Sequence, residues 1–232
     1  MPKRLFILGS GPSLRNAPLD RLHEAGEHTL ACNKINLLWE EGLVRHWRPT
    51  YYFMADYDGQ NGKNWKEWVL ANAACKHLWL WDGFRDGFPP GHSSHEILPD
   101  GLGELPKTTW LARCPRHHYY QPANPRMAGW GWHLPEICTG VNSISAMLQI
   151  GALLGYDELY LLGCDLGYTP DRALNHFSPN YSLFPFDKAA TDNRNYLAAH
   201  KVANRDCPVP IYNATPGGML EVYPRVDLET LL

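Results

Sequence analysis

Five predicted strands end in a small or polar residue: Gly9-Ser10-Gly11, Asn33, Asp56, Asp165 and Asn213. In an open parallel sheet the carboxyl ends of the strands share one edge, and ligands bind in the crevice there. Five such residues on one rim are what a binding crevice would leave in a sequence. The first group belongs to the loop Gly9-Ser10-Gly11-Pro12-Ser13. Its glycines would let backbone N–H groups approach a phosphate or ribose closely. The loop lacks the Gly-Lys-Ser/Thr ending of a P-loop and the third glycine of the dinucleotide fingerprint, so by itself it reads equally as a tight turn. Thr139-Gly140-Val141-Asn142-Ser143 stands before the strongest helical pattern of the chain. Hydroxyls, an amide and free N–H groups there suit a nucleotide phosphate at a helix N-terminus, and they suit a plain N-cap as well.

The acids and bases follow the same geography. Asp56-Tyr57-Asp58 has the Asp-x-Asp spacing by which nucleotide-sugar transferases hold a divalent cation against diphosphate oxygens, which makes Mg²⁺ a candidate here. Asp165 could hydrogen-bond a ribose or orient neighbouring loops. His176, within Asn175-His176-Phe177, is a loop histidine at the mouth of the expected crevice. Its ordinary pKa suits a general base. His92, His95, His117 and His118 lack a carboxylate or thiol partner at metal-site spacing and read as surface residues. Tyr160, Tyr168 and Tyr181 are either phosphate donors or ordinary strand and loop aromatics. Trp130 and Trp132 could pack a lid or stack on a sugar or base.

Positioning these groups requires alternating elements. Short apolar runs at residues 5–8, 29–32, 51–55, 77–81, 158–162 and 209–212 predict strands. Helical patterns fall at 12–25, 35–42, 65–74, 141–154 and 187–204. The alternation predicts an α/β fold, a Rossmann-like parallel sheet with helices on both faces. Residues 83–137 are rich in Gly, Pro, His and Trp without a long periodic run. They read as an aromatic-rich lid or loop inserted within a single domain spanning 1–232.

Composition narrows the classes. With 21 basic and 24 acidic side chains and a net charge of −3, the chain carries no electrostatic footprint for nucleic acid. No stretch has the roughly 20 apolar residues of a membrane helix, and the apolar run at 5–8 is too short for a signal peptide. The six cysteines show no CxxC spacing and read as reduced thiols. The expected compartment is the cytoplasm.

Taken in order, Leu8-Gly9-Ser10-Gly11-Pro12-Ser13-Leu14, Cys32-Asn33, Thr139-Gly140-Val141 and the run from Leu154 to Asp165 resemble the bacterial Cst-type sialyltransferases that build lipooligosaccharide. They equally resemble the motility-accessory-factor and MptE-like family, to which Ile211-Tyr212-Asn213-Ala214-Thr215-Pro216-Gly217-Gly218 is the more similar. The first resemblance implies a GT-A variant of the Rossmann-like fold, a CMP-sialic-acid donor and no metal requirement. It places the nucleotide on Gly9, Ser10, Gly11, Asn33, Thr139 and Gly140; Ser13, Asp165 and Asn213 on the same rim are the further nucleotide-binding candidates. It makes Tyr160 and Tyr168 the tyrosines that assist the departing phosphate and His176 the base toward the acceptor hydroxyl. Where that family has Asn near the end of the third strand, this chain has Asp56, which would repel a sugar carboxylate unless a cation intervened. The second resemblance implies a Mg²⁺-dependent diphosphokinase acting on a hydroxymethyl-pterin, with Asp56, Asp58 and Asp165 as natural ligands. A nucleotide-binding accessory protein without catalysis is the third expectation. The expected partners are a nucleotide sugar and a glycan or protein acceptor; a homo-oligomer is compatible with all three.

Overall fold

The computed structural model describes residues 2–54, 65–81, 108–113, 134–137, 142–181 and 189–232. Eight strands are formed: β1 (Arg4–Leu8), β2 (His28–Cys32), β3 (Tyr51–Met54), β4 (His77–Trp81), β5 (Thr108–Arg113), β6 (Glu136–Ile137), β7 (Glu158–Leu162) and β8 (Ile211–Asn213). They pair in the order β6-β5-β4-β3-β2-β1-β7-β8, and every pairing is parallel.

The strands are continuous apolar runs because both faces of the sheet are covered. Leu5, Phe6, Ile7 and Leu8 of β1 are all fully buried. Phe6 and Leu8 pack in one cluster with Leu19 and Leu22 of α1 (Leu19–Glu24), Leu38 of α2 (Leu37–Glu40) and Val69 of α3 (Trp65–Ala71). Leu5 and Ile7 face the opposite cluster, with Ala146, Met147 and Ile150 of α4 (Ser143–Leu153) and Ala203 of α5 (Ala189–Asp206). Helix α4 is apolar nearly all round because it is buried from Ser145 to Gly151. Its first turn is capped by Asn142, whose side chain accepts from the Ser145 N–H at 2.9 Å.

The architecture is the α/β parallel sheet that the alternation predicts. The chain winds outward from β1 to β6, then returns to the other side of β1 for β7 and β8. The winding therefore reverses between β1 and β7, and the crevice of a doubly wound sheet lies at the carboxyl ends of those two strands. Two strands arise where the sequence predicts only an excursion. β5 and β6 both fall within residues 83–137, and they extend the sheet at its far edge. Thr108 and Thr109 begin β5 and make it too polar for a continuous apolar pattern. Trp130, Trp132, His92, His95, His117 and His118 lie outside the described residues, as does the remainder of the expected lid. Among the described residues, no helix is long and apolar enough to cross a membrane.

Candidate active site

The loops after β1 and β7 are locked together at the switch point. The Gly9 N–H donates to the Leu162 carbonyl at 2.7 Å, and the Gly11 N–H to the Gly163 carbonyl at 2.8 Å. A Cβ on Gly9 would lie 2.3 Å from the Gly163 oxygen; one on Gly11 would lie 2.0 Å from Asp165 Oδ2. Both glycines are thus required by the close approach of the β7 loop, and their N–H groups are taken by its carbonyls. This corrects the expectation that these two groups cradle a phosphate.

Asp165 completes the lock. Ser13 Oγ donates to its carboxylate at 2.8 Å, and the Ser13 N–H at 3.3 Å. Burial pushes the Asp165 carboxyl above the usual range, although the Ser13 hydrogen bonds and Arg225 pull it down. Of the two readings open for Asp165, the structure favours the loop-orienting one. Asn213 is 1% exposed, and both ends of its amide serve its own loop: Nδ2 donates to the Leu220 carbonyl at 2.8 Å, and Oδ1 accepts from the Thr215 N–H at 3.0 Å. Asn213 therefore shapes the Thr215-Pro216-Gly217-Gly218 turn instead of facing a nucleotide, a second correction. Thr215 ties that turn to the switch point by accepting from the Cys164 N–H at 3.1 Å.

Asn33 stands at the carboxyl end of β2 with φ +54°, in the left-handed region that Asn tolerates better than most side chains. Its carbonyl accepts from the Tyr52 hydroxyl at 2.9 Å. The next residue, Lys34, places its ammonium 4.9 Å above the ring of Trp68 and lowers the proton affinity of His176.

His176 enters the site from the long loop between β7 and α5. Its Nδ1 lies 3.0 Å from Ser10 Oγ. The ring stacks on Tyr181 at 4.3 Å between centroids and meets Tyr168 edge-on at 6.0 Å. It is 8% exposed. Burial brings its pKa down to about 4; the Ser10 backbone opposes that fall and Lys34 adds to it. The imidazole is therefore neutral at physiological pH, as a proton acceptor must be.

The loop is pinned on both sides of the histidine. Phe177, 1% exposed, anchors it in the core, and its N–H donates to the Ser10 carbonyl at 2.9 Å while its carbonyl accepts from Arg15 at 3.0 Å. Asn175 and Thr169 exchange two hydrogen bonds, at 2.7 and 2.8 Å. Ser178 donates to Glu41 at 2.6 Å. From α5, Asn193 accepts from the Gly167 and Tyr168 N–H groups at 3.1 and 2.8 Å and donates to the Tyr168 carbonyl at 2.9 Å. Desolvation raises the Tyr168 hydroxyl well above its ordinary pKa, so it is a protonated donor.

The structure thus brings Ser10, Tyr168 and His176 together, with Ser13 and Asp165 beside them. Tyr160 does not join them. It lies in the core between Phe6 and Tyr212, and its hydroxyl donates to Glu158, two residues toward the amino end of β7, at 2.8 Å. The tyrosine reading of Tyr160 as a phosphate partner is corrected accordingly. Tyr160→Phe is expected to leave any nucleotide-dependent reaction unchanged and to cost about 1 kcal/mol of stability; a turnover assay beside a melting curve checks both halves. Asp56, Asp58, Thr139 and Gly140 lie outside the described residues. Among the described residues, no three His, Cys, Asp or Glu side chains gather as metal ligands. Sequence reasoning missed Lys34, Arg15, Glu41 and Asn193. Only Lys34, next to Asn33, stood where a signal could have been read.

No family model matches the chain, and no curated protein matches it. Solved structures do. The monofunctional α-2,3-sialyltransferase Cst-I from Campylobacter jejuni superposes with a TM-score of 0.54 at 18% identity, covering 97% of this chain and 80% of its own. The sialyltransferase Cst-II, crystallised with a trisaccharide acceptor and CMP, superposes with a TM-score of 0.51 at 13% identity, covering 97% and 86%. The chain has the fold of the Cst-type sialyltransferases.

Proposed function

We propose that this chain is a glycosyltransferase that moves a sugar from a nucleotide-activated donor, a CMP-linked acidic sugar of the sialic-acid kind, to a hydroxyl of a glycan or protein. One observation carries the reading: a buried, neutral histidine held against the switch-point loop, where the transfer of a sugar from a nucleotide needs a base for the acceptor hydroxyl and a donor to the leaving phosphate. His176 takes the proton of the acceptor hydroxyl as that oxygen attacks the anomeric carbon. The bond from that carbon to the phosphate oxygen breaks, and CMP leaves with the electron pair. The Tyr168 hydroxyl, protonated and beside the ring of His176, donates to the phosphate as its charge develops. Asn33, Thr139 and Gly140 are assigned to the nucleotide, the last two preceding α4 in the sequence, where helix N–H groups favour an anion. The fold shared with Cst-I and Cst-II supports this reading, since Cst-II was crystallised with CMP and a trisaccharide acceptor. Lipopolysaccharide biosynthesis in the cytoplasm is the fitting context.

The test is a panel of CMP-, UDP- and GDP-sugars and ATP, assayed in EDTA and in Mg²⁺, with nucleotide binding followed by thermal shift. Transfer from a CMP-sugar that persists in EDTA is the expected result. Diphosphate transfer from ATP to a hydroxymethyl-pterin, lost in EDTA and restored by Mg²⁺, would replace this reading with a diphosphokinase that uses Asp56 and Asp58. Nucleotide binding with no transfer from any donor would leave a binding protein.

A further inference from the structure

We infer that Ser10 is a positioning residue for His176: it holds the imidazole proton on Nδ1 and leaves Nε2 as the basic nitrogen. A neutral imidazole has one N–H and one lone pair, and the hydrogen bond made by one nitrogen decides the role of the other. Ser10 meets the ring on the Nδ1 side, with Oγ at 3.0 Å. Its backbone also hydrogen-bonds to the ring, in the sense that favours a ring proton; a carbonyl can only accept. That carbonyl is itself fixed, because the Phe177 N–H donates to it at 2.9 Å. Ser10 cannot drift, since the glycines on either side of it are bonded to the end of β7 at 2.7 and 2.8 Å. Tyr181, stacked at 4.3 Å, limits rotation of the ring. The Gly-Ser-Gly loop then divides its labour: glycines for contact with β7, serine for the orientation of the base. Among the described residues, Lys34 acts on the ring and disfavours a second proton.

The inference deepens the base role proposed for His176, but the tautomer can be read without any donor. In the ¹⁵N-labelled full chain near neutral pH, long-range ¹H–¹⁵N spectra are expected to give His176 a pyrrole-type Nδ1 and a pyridine-type Nε2. The reverse pattern overturns the inference. In Ser10→Ala the hydroxyl is gone and only the carbonyl, shared with the Phe177 N–H, remains to accept. A mixture of tautomers is expected there, with turnover falling on the order of 10-fold at little-changed KM. Ser10→Thr restores the hydroxyl and should restore the single tautomer. A folded Ser10→Ala that keeps the wild-type tautomer and turnover overturns the inference; if that variant does not fold, the wild-type and Ser10→Thr spectra decide it. A correct tautomer in a protein that transfers nothing from a CMP-sugar refutes the proposed reaction and leaves the role of Ser10 standing.

Discussion

Replacing His176 by alanine is expected to lower kcat by roughly 10²–10⁴-fold, the usual worth of a positioned general base, while nucleotide binding survives. The reason for the separation lies in how the loop is held. Phe177 fixes it in the core, Asn175 and Thr169 close it on themselves, and Ser178 bonds to Glu41. None of these anchors passes through the imidazole, so its removal takes away the base without releasing the backbone. The pH dependence adds a second, independent signature. A base must be deprotonated to work, and burial has lowered the His176 pKa from 6.5 to about 4. The acid limb of kcat/KM, which reports the free enzyme, should therefore lie near pH 4 on account of this group. A bound phosphate adds negative charge beside the ring and favours the imidazolium, so the limb of kcat should lie higher than that of kcat/KM. Turnover and nucleotide affinity measured on the variant, with pH–rate profiles of the wild type, check the set. Undiminished turnover in His176→Ala would remove the histidine from the mechanism; a kcat/KM limb at 6.5 would mean a ring open to water in solution.

Much of this arrangement is legible in the sequence, for physical reasons. Strands covered on both faces must be apolar throughout, so residues 5–8 and 158–162 announce themselves. The crevice edge follows from what comes directly after them, Gly9-Ser10-Gly11 and Gly163-Cys164-Asp165. What is not legible is direction and partnership. Tyr160 sits two residues before the end of its strand, within reach of either edge, and only the packed position of Glu158 decides which way the hydroxyl goes. Asn213 ends β8 as a ligand residue would, yet its amide is satisfied by Leu220 and Thr215, partners set by a turn whose path no local pattern fixes. Asn193, Arg15 and Glu41 act through backbone groups 25 to 162 positions away or, for Glu41, through a hydroxyl 137 away. Glycines carry a further ambiguity. A residue that must be small beside a phosphate and one that must be small beside another loop are written with the same letter.

That ambiguity can be resolved by the second large effect, Gly9→Ala. The added Cβ would lie 2.3 Å from the Gly163 oxygen and 2.8 Å from its carbonyl carbon. These are backbone atoms, and moving them stretches the β1–β7 ladder next to the Gly9 N–H bond to Leu162. A cost of about 3 kcal/mol, at the upper end for overpacking, is expected, or a fall in Tm of roughly 6–12 °C for a domain of this size. Gly11→Ala tests the same contact with a different escape. Its φ of −66° is ordinary for alanine, so the conformation costs nothing and only contact remains. The nearest atom, Asp165 Oδ2 at 2.0 Å, belongs to a side chain that can swing, but only by giving up its bonds to Ser13, and the Gly163 oxygen at 2.7 Å stays in the way. Adding Asp165→Ala to Gly11→Ala should therefore recover part of the loss and never all of it. Gly26→Ala is the control: with φ +73° and nothing within 4 Å, it should cost only the left-handed penalty, about 1–2 kcal/mol. If Gly9→Ala keeps the wild-type Tm and loses only nucleotide affinity, the glycine answers to the ligand and the lock between the two loops is not what requires it. If it loses stability with the nucleotide absent, the first loop is shaped by β7 before any ligand arrives, and the crevice is built in advance of its nucleotide.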